Sequence, residues 1–255
     1  MKAALIGHTG LIGTNLLEQK KEVKFDLYNS KNIHLIKNAK YDLLVIAAPS
    51  AEKWKANSDP LQDLTSVFNL IENIYSVDAK KLVLFSTIDV YGDRISEGLR
   101  EDCVLHSDVQ PYGRNRSLLE SYCHENFNTT VVRLPALFGK HLKKNVIYDL
   151  MNDNMVDKIS LRTSFQWINL DKIVEILNFA SKTQSKFINY VSEPIETRII
   201  VENLFPKQLS ACLGASTVNY NVKTLHNSTG YFINSQQTYR EIENFVHNIS
   251  NKNEL

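Results

Sequence analysis

The sequence predicts an α/β fold, a doubly wound parallel sheet that carries a small C-terminal lobe. Three observations predict it. A short apolar run, Lys2-Ala3-Ala4-Leu5-Ile6, leads into Gly7-His8-Thr9-Gly10-Leu11-Ile12-Gly13, with glycines at intervals of three, and then into a helical stretch. Strand-length apolar runs alternate with helix-period segments as far as about residue 139. Among these runs, Asp42 to Ala48 is nearly continuous in apolar character, as a parallel strand buried on both faces must be.

The bulk properties narrow the class. A chain of 255 residues with 43% hydrophobic and 22% charged residues holds ample core for one large domain or two small ones. A net charge of +1 gives no case for nucleic acid or an anionic membrane surface as partner. Cys103, Cys123 and Cys212 are odd in number, far apart and not in metal-ligand spacing. They read as reduced thiols with no metal, which suits a cytosol. No segment approaches the ~20 apolar residues of a membrane span. The N-terminus has no basic region ahead of an apolar stretch, so a cytoplasmic location is expected. Lys252-Asn253-Glu254-Leu255 reads as a frayed tail.

In the first strand–turn–helix unit the glycines let the backbone turn tightly and approach a diphosphate, while the helix N-terminus offers unpaired N–H groups. This is the Rossmann-type arrangement, and it makes Gly7, Thr9, Gly10, Leu11, Ile12 and Gly13 candidate cofactor contacts. A tight turn with no ligand is the alternative. Thr14 to Lys21 reads as the helix, with Leu16 and Leu17 inward. Val23 to Tyr28 alternates as a second strand, with Val23, Phe25 and Leu27 on one side and Asp26 facing solvent. Dinucleotide folds usually place a carboxylate near this strand's end for the ribose 2′-hydroxyl. Here the end is Tyr28-Asn29-Ser30-Lys31-Asn32, with no acid. Asn29, Ser30 and Lys31 suit a 2′-phosphate better, which favours NADP(H) and leaves NAD(H) as the alternative. The same residues also read as an ordinary polar turn.

Ala47 and Ala48, followed by Pro49, are small where the chain passes a cofactor. Ala51 to Pro60 reads as a polar connection, and Pro60 to Tyr75 as a long helix with Leu61, Leu64, Phe68 and Ile71 inward. Lys81 to Phe85 is a buried strand that delivers Ser86-Thr87-Ile88-Asp89-Val90-Tyr91-Gly92 at its C-terminal end, where open α/β sheets place ligands. Glu97 to Gln110 reads as a loop over the site. Pro111 opens a helix to about Asn126, with Tyr112 and Arg116 on one face. Thr130 to Leu134 is a strand closed by Pro135-Ala136-Leu137-Phe138-Gly139. Beyond it come the basic cluster Lys140, Lys143 and Lys144, a helix over Val146 to Met151, and a brief strand from Phe165 to Ile168. A helix over Asp171 to Ser181, a strand from Phe187 to Val191, and helices over Thr197 to Leu204 and Gln236 to Ile249 complete the pattern. Residues 1–139 are thus expected to form the dinucleotide-binding core. Residues 140–255 complete the sheet, through 171–181 and 187–191, and form the small substrate lobe.

These motifs, in this order, resemble the extended short-chain dehydrogenase/reductase family in its sugar-nucleotide, epimerase/dehydratase-like branch. The segments that carry the likeness are Gly7 to Gly13, Ser86 to Gly92, Tyr112 with its helix, Arg133-Leu134-Pro135-Ala136-Leu137-Phe138-Gly139, and Phe165-Gln166-Trp167-Ile168-Asn169-Leu170-Asp171. The resemblance covers the chain to about residue 200. It implies hydride chemistry on a sugar carbon by a hydroxyl residue, a tyrosine and a lysine four residues after the tyrosine. It therefore implies Thr87 and Tyr112 as catalytic residues, the tyrosine lowered from its usual pKa near ~10 by a neighbouring cation. The lysine position is Arg116. Arginine supplies charge and donors for the nicotinamide ribose but cannot relay a proton.

In related dehydratases an Asp-Glu pair occupies the positions of Ile88 and Asp89. Isoleucine cannot transfer a proton, so dehydration is disfavoured. Asp89 is left as a sugar-hydroxyl ligand, a proton-transfer group or a capping carboxylate. Lys140 and Lys143 stand where relatives hold the nucleotide diphosphate, and Pro135 beside the cofactor; a solvated charge run is the alternative for the lysines. His8 reads as filler of a variable motif position, and Phe165 and Trp167 as core or as a base-stacking pair. The implied activity is an NAD(P)-dependent reductase or reductase-epimerase of a nucleotide-linked keto-sugar, in the making of unusual sugars for surface polysaccharides. The alternatives are an NAD-retaining 4-epimerase and a dinucleotide-binding sensor or scaffold. Relatives pair through the helices at Pro60–Tyr75 and Tyr112–Asn126, which leaves a homodimer as one option.

Overall fold

The computed structural model describes residues 1–105 and 109–253, the side chains of 250–253 excepted. Part of the loop expected over residues 97–110, and Glu254 and Leu255 of the tail, lie outside the described residues. In chain order the regular elements are β1 (Ala3–Ile6), α1 (Leu11–Gln19), β2 (Phe25–Tyr28), β3 (Lys40–Ile46), α2 (Lys53–Ser58), α3 (Pro60–Ile74), β4 (Asp78–Thr87), α4 (Pro111–Asn126), β5 (Thr129–Leu134), β6 (Ala136–Phe138), α5 (Val146–Met151), β7 (Ser164–Phe165), β8 (Trp167–Asn169), α6 (Ile173–Lys182), β9 (Phe187–Asn189), β10 (Ile195–Glu196), α7 (Thr197–Leu204) and α8 (Ser235–Asn253).

Two compact units emerge. The first comprises Met1–Arg94, Glu101–Leu134 and Asp171–Asn189; the second comprises Ile95–Arg100, Pro135–Leu170 and the chain from Tyr190 onward. The first is built on a six-stranded sheet in the order β2-β1-β3-β4-β5-β9, with every neighbouring pair parallel. This is the Rossmann-like sheet the sequence predicts. Register aligns the strand ends: Ile6 lies opposite both Tyr28 and Ile46, and β4 carries Thr87 out opposite Leu134 of β5. The core is Ala4, Ile6, Leu44, Ile46, Leu82, Leu84 and Val131 from the strands, packed on Val67, Leu70, Ile74, Leu119 and Cys123 from α3 and α4.

Several elements depart from expectation. Helix α1 begins at Leu11, three residues early, so Gly13 lies inside its first turn; Leu16 is buried but Leu17 only half-buried. Strand β2 begins at Phe25, and Leu27 is exposed, because β2 is the edge of the sheet. The polar connection contains a short helix, α2. On α3 the buried face is Val67, Leu70, Asn73 and Ile74, whereas Leu61 and Phe68 are 73% and 52% exposed. That helix carries two apolar stripes about 100° apart, and period alone does not say which one meets the sheet. Its start is well specified, since Asp59 accepts the Gln62 N–H (3.1 Å) and Pro60 occupies the first turn, where its missing N–H costs nothing.

The second unit has its own core, with Phe138, Ile147, Leu150, Trp167, Ile195, Ile200, Val201, Ile242 and Val246 among its members. Its strands form two pairs, β6 with β8 in parallel and β10 with β7 antiparallel. The single strand expected over 165–168 is broken at Gln166. The buried amide of Gln166 donates to the carbonyls of Ser192 (2.6 Å) and Val222 (2.8 Å) and accepts the Val222 N–H (2.8 Å). A buried amide must find such partners, and finding them splits the segment between two sheets. Trp167 lies in the core, and Phe165 stacks on Tyr220 at 5.2 Å. Helix α6 starts at Ile173 after a single 3₁₀ turn, and β9 ends at Asn189. Among the described residues no helix is long and apolar enough to cross a membrane.

Candidate active site

The first unit holds two groups of candidate residues, and the glycine turn after β1 is one. Gly7 has φ +89°, and its N–H donates to the Tyr28 carbonyl (2.8 Å). A side chain at Gly7 would place Cβ 2.3 Å from the Ala47 carbonyl oxygen, and one at Gly13 would place it 2.3 Å from the Gly7 oxygen. Backbone packing thus fixes the loop against Ala47 at the end of β3. Gly10 caps α1 without a side-chain hydrogen bond and is exposed, as is Thr9. A helix start with no capping side chain beside an open glycine backbone has the donor set an anionic diphosphate needs. These residues fit the diphosphate of a dinucleotide. Beyond β2, Asn29 folds back on the loop: its Nδ2 lies 3.2 Å from His8 Nε2, and its Oδ1 accepts the Lys31 N–H (2.9 Å). His8, read as filler, is therefore tied to Asn29.

The second group lies where β4 meets α4. Pro111 occupies the first turn of α4, and the Tyr112 N–H that this turn leaves unpaired is accepted by Asn57 Oδ1 of α2 (3.0 Å). Gly113 lets the helix come close: a Cβ there would lie 2.3 Å from the Asp89 carbonyl oxygen. Tyr112 is buried and hydrogen-bonds Thr87. Thr87 Oγ1 also donates to Asp89 Oδ2 (3.0 Å), and Asp89 Oδ1 lies 2.5 Å from Lys53 Nζ of α2. Burial pushes the Tyr112 hydroxyl up to about 12; the charges of Arg116 and Lys53 and the Thr87 hydrogen bond pull it down, and Asp89 pushes it up.

Arg116 lies against Tyr112, its guanidinium carbon 4.6 Å from the ring centroid. Its two terminal nitrogens grip Asp63 of α3 at 2.8 and 2.9 Å, and one also donates to the Ser50 carbonyl (2.6 Å). Asn115 Nδ2 adds a third donor to Asp63 (2.8 Å). The fork is therefore spent on a carboxylate, a geometry suited to arginine and not to lysine.

A separate buried network joins two motifs. Arg133 pairs with Glu120 (2.7 Å) and donates to the Tyr91 hydroxyl (2.9 Å), while Ser86 Oγ donates to Glu120 (2.5 Å). Ser86, Tyr91 and Arg133 thus hold β4, β5 and α4 together. Ile88, in the same segment, is buried. Of the other candidates, Ala48 and Pro49 follow β3 in the first unit, whereas Pro135, Lys140 and Lys143 belong to the second, where both lysines are exposed. Lys53, Asn57 and Asp63 are the site residues that sequence reasoning missed.

A doubly wound parallel sheet with an uncapped glycine turn after its first strand defines a Rossmann-type dinucleotide-binding fold. The chain belongs to the NAD dependent epimerase/dehydratase family, whose model matches residues 17–166. It resembles an NAD-dependent NDP-hexosamine 5,6-dehydratase of tunicamycin biosynthesis, with TM-score 0.76 and 14% identity over 96% of each chain. It resembles a dTDP-4-dehydrorhamnose reductase from Clostridium acetobutylicum, with TM-score 0.72 and 13% identity over 98% of this chain and 100% of that one. It also resembles a UDP-glucose 4-epimerase with UDP-glucose from Thermotoga maritima, with TM-score 0.71 and 13% identity over 98% and 99%. At these identities the likeness is one of fold. No curated protein matches the sequence.

Proposed function

We propose that the protein is an NAD(P)-dependent reductase, or reductase-epimerase, acting on a nucleotide-linked keto-sugar. The observation that carries this reading is the buried Tyr112 hydroxyl bonded to Thr87. When bound, the nicotinamide supplies hydride. Thr87 orients the ketone oxygen, and Tyr112 donates its phenolic proton to that oxygen as the carbonyl carbon is reduced. Burial, which holds the Tyr112 hydroxyl above its ordinary value, favours the protonated phenol that a reductase uses as its donor. Ile88 has no proton to transfer, which argues against dehydration.

In this reading Gly7, Thr9, Gly10, Leu11, Ile12 and Gly13 hold the cofactor diphosphate. Asn29, Ser30 and Lys31 favour the 2′-phosphate of NADP(H), and Ala47, Ala48, Pro49 and Pro135 border the ring and ribose. Lys140 and Lys143 take the substrate diphosphate, Asp89 a sugar hydroxyl. Pairing through α3 and α4 into a homodimer belongs to the same proposal. A second reading, a dinucleotide-binding sensor or scaffold, is favoured by the hold of Asp63 on Arg116.

The test is a fluorescence titration with NADPH and NADH, followed by turnover of a panel of nucleoside-diphosphate keto-sugars. NADPH should bind more tightly, and Tyr112→Phe should lower turnover by about 10²–10⁴-fold. A Tyr112→Phe protein as fast as wild type would sink the mechanism. NADPH binding with no turnover of any keto-sugar would favour the scaffold.

A further inference from the structure

The Tyr112 site contains a cation that the Tyr–x–x–x–Arg spacing does not supply. Asn57 accepts the Tyr112 N–H and so ties α2 to the first turn of α4 (3.0 Å). Lys53 stands four residues before Asn57, on the same face of α2. The contact that anchors the short helix therefore also aims its lysine. Lys53 Nζ reaches Asp89 Oδ1 at 2.5 Å, and the other carboxylate oxygen accepts from Thr87 at 3.0 Å. Asp89 is held in place by its backbone, against which Gly113 packs closely. An ammonium, a carboxylate, a hydroxyl and the tyrosine are thus joined side chain to side chain.

We propose that Lys53, through its pair with Asp89, is a positioning cation of the Tyr112 site and takes over part of what a lysine on α4 would do there. The inference rests on the reading of Tyr112 as proton donor. Once Tyr112 has given up its proton, the phenolate must be stabilised. Arg116 lies over the ring, but its charge is shared with Asp63. Asp89 alone would oppose the phenolate, and Lys53 neutralises it. The charged groups that bear on Tyr112 are Arg116 and Lys53, which favour the phenolate, and Asp89, which disfavours it.

The test reads Tyr112 directly in the full chain without cofactor or substrate. A ring-fluorinated tyrosine, whose intrinsic pKa is far lower, is incorporated at position 112 and titrated by ¹⁹F NMR. Lys53→Met should raise its pKa by about one unit, since it leaves Asp89 uncompensated, and Asp89→Asn should lower it. Lys53→Arg should sit near wild type. A lysine that only braces α2 would leave the Lys53→Met value at wild type, while Asp89→Asn would still lower it through the lost carboxylate charge. If Lys53→Met titrates like wild type, the proposal is overturned, whatever Asp89→Asn does. Turnover separates this failure from failure of the parent reading. Loss of Tyr112-dependent turnover as the assigned activity leaves the ¹⁹F shifts standing, and unshifted titrations with Tyr112-dependent turnover overturn the role of Lys53 alone.

Discussion

Asp63→Ala is the perturbation that best tests whether Arg116 is a built, buried feature. The two side chains are 6% and 11% exposed, Arg116 and Asp63 respectively, and the carboxylate receives two bonds from the guanidinium and one from Asn115. Removing the carboxylate leaves a desolvated cation that still donates to the Ser50 carbonyl. Truncating one partner of a buried ion pair costs about 3–5 kcal/mol, far more than the net worth of the pair. For a chain of this size each kcal/mol shifts Tm by about 2–4 °C, so Asp63→Ala should melt about 6–20 °C below wild type. Thermal and urea melts followed by circular dichroism measure it. The double replacement Asp63→Leu with Arg116→Met removes the charge along with its partner and should recover most of the loss. An Asp63→Ala protein within 1 kcal/mol of wild type would refute the reasoning, because the guanidinium would then be solvated or otherwise paired.

Three further outcomes are expected. Gly113→Ala cannot place its Cβ 2.3 Å from the Asp89 oxygen without moving α4, so it should cost about 1–3 kcal/mol in a melt and depress any Tyr112-dependent turnover. Burial raises the Tyr112 pKa above the unfolded value near ~10, so its neutral form contributes stability that is complete below that pH and is lost as pH rises towards about 12. Between those limits wild type should lose stability faster than Tyr112→Phe, as parallel urea melts at stepped pH would read; parallel curves would contradict the burial. Along α3 and its C-terminal cap, the outward stripe of Leu61, Phe68 and Tyr75, which are 73%, 52% and 67% exposed, should support self-association, so Leu61→Glu with Phe68→Glu should yield a smaller species in sedimentation. An unchanged sedimentation coefficient would remove the homodimer from the proposal.

The sheet was legible because its strands satisfy one strong constraint. A parallel strand covered on both faces must be apolar throughout, and Leu43 to Ile46 and Leu82 to Phe85 are. Helix starts were legible where capping chemistry is local, as at Asp59-Pro60 and Pro111. What failed were choices that only tertiary packing decides. On α3, Leu61 and Phe68 of the expected stripe face outward and Ile71 is half-buried against the core, while Val67, Leu70 and Ile74 are the residues fully covered. Helix α2 is too short to show periodicity and is held by Asn57 bonding to Tyr112, a partner 55 positions away. Gln166 sits in an apolar run, and only the carbonyls of Ser192 and Val222 explain why the run breaks there.

The candidate site divides along the same line. Thr87, Tyr112 and Arg116 come from motifs with fixed spacing, whereas Lys53 and Asp63 arrive from 36 and 53 positions away, and no spacing announces them. One of them could still have been sought. An arginine on the buried face of a helix needs a fork of acceptors, and a bidentate carboxylate is the best one available. Asp63, in the first turn of the preceding long helix, was a candidate on type alone. Exchanging lysine for arginine at position 116 is therefore more than a change of shape. The larger, permanently charged group demands a carboxylate, and that pairing directs its donors at α3. The carboxylate bonded to Thr87, Asp89, is matched by a different cation, Lys53, on a different helix. If the proposed role of Lys53 holds, an arginine at this position does not by itself mark an inactive member of the family, and Lys53→Met rather than Arg116→Lys is the variant that reads it.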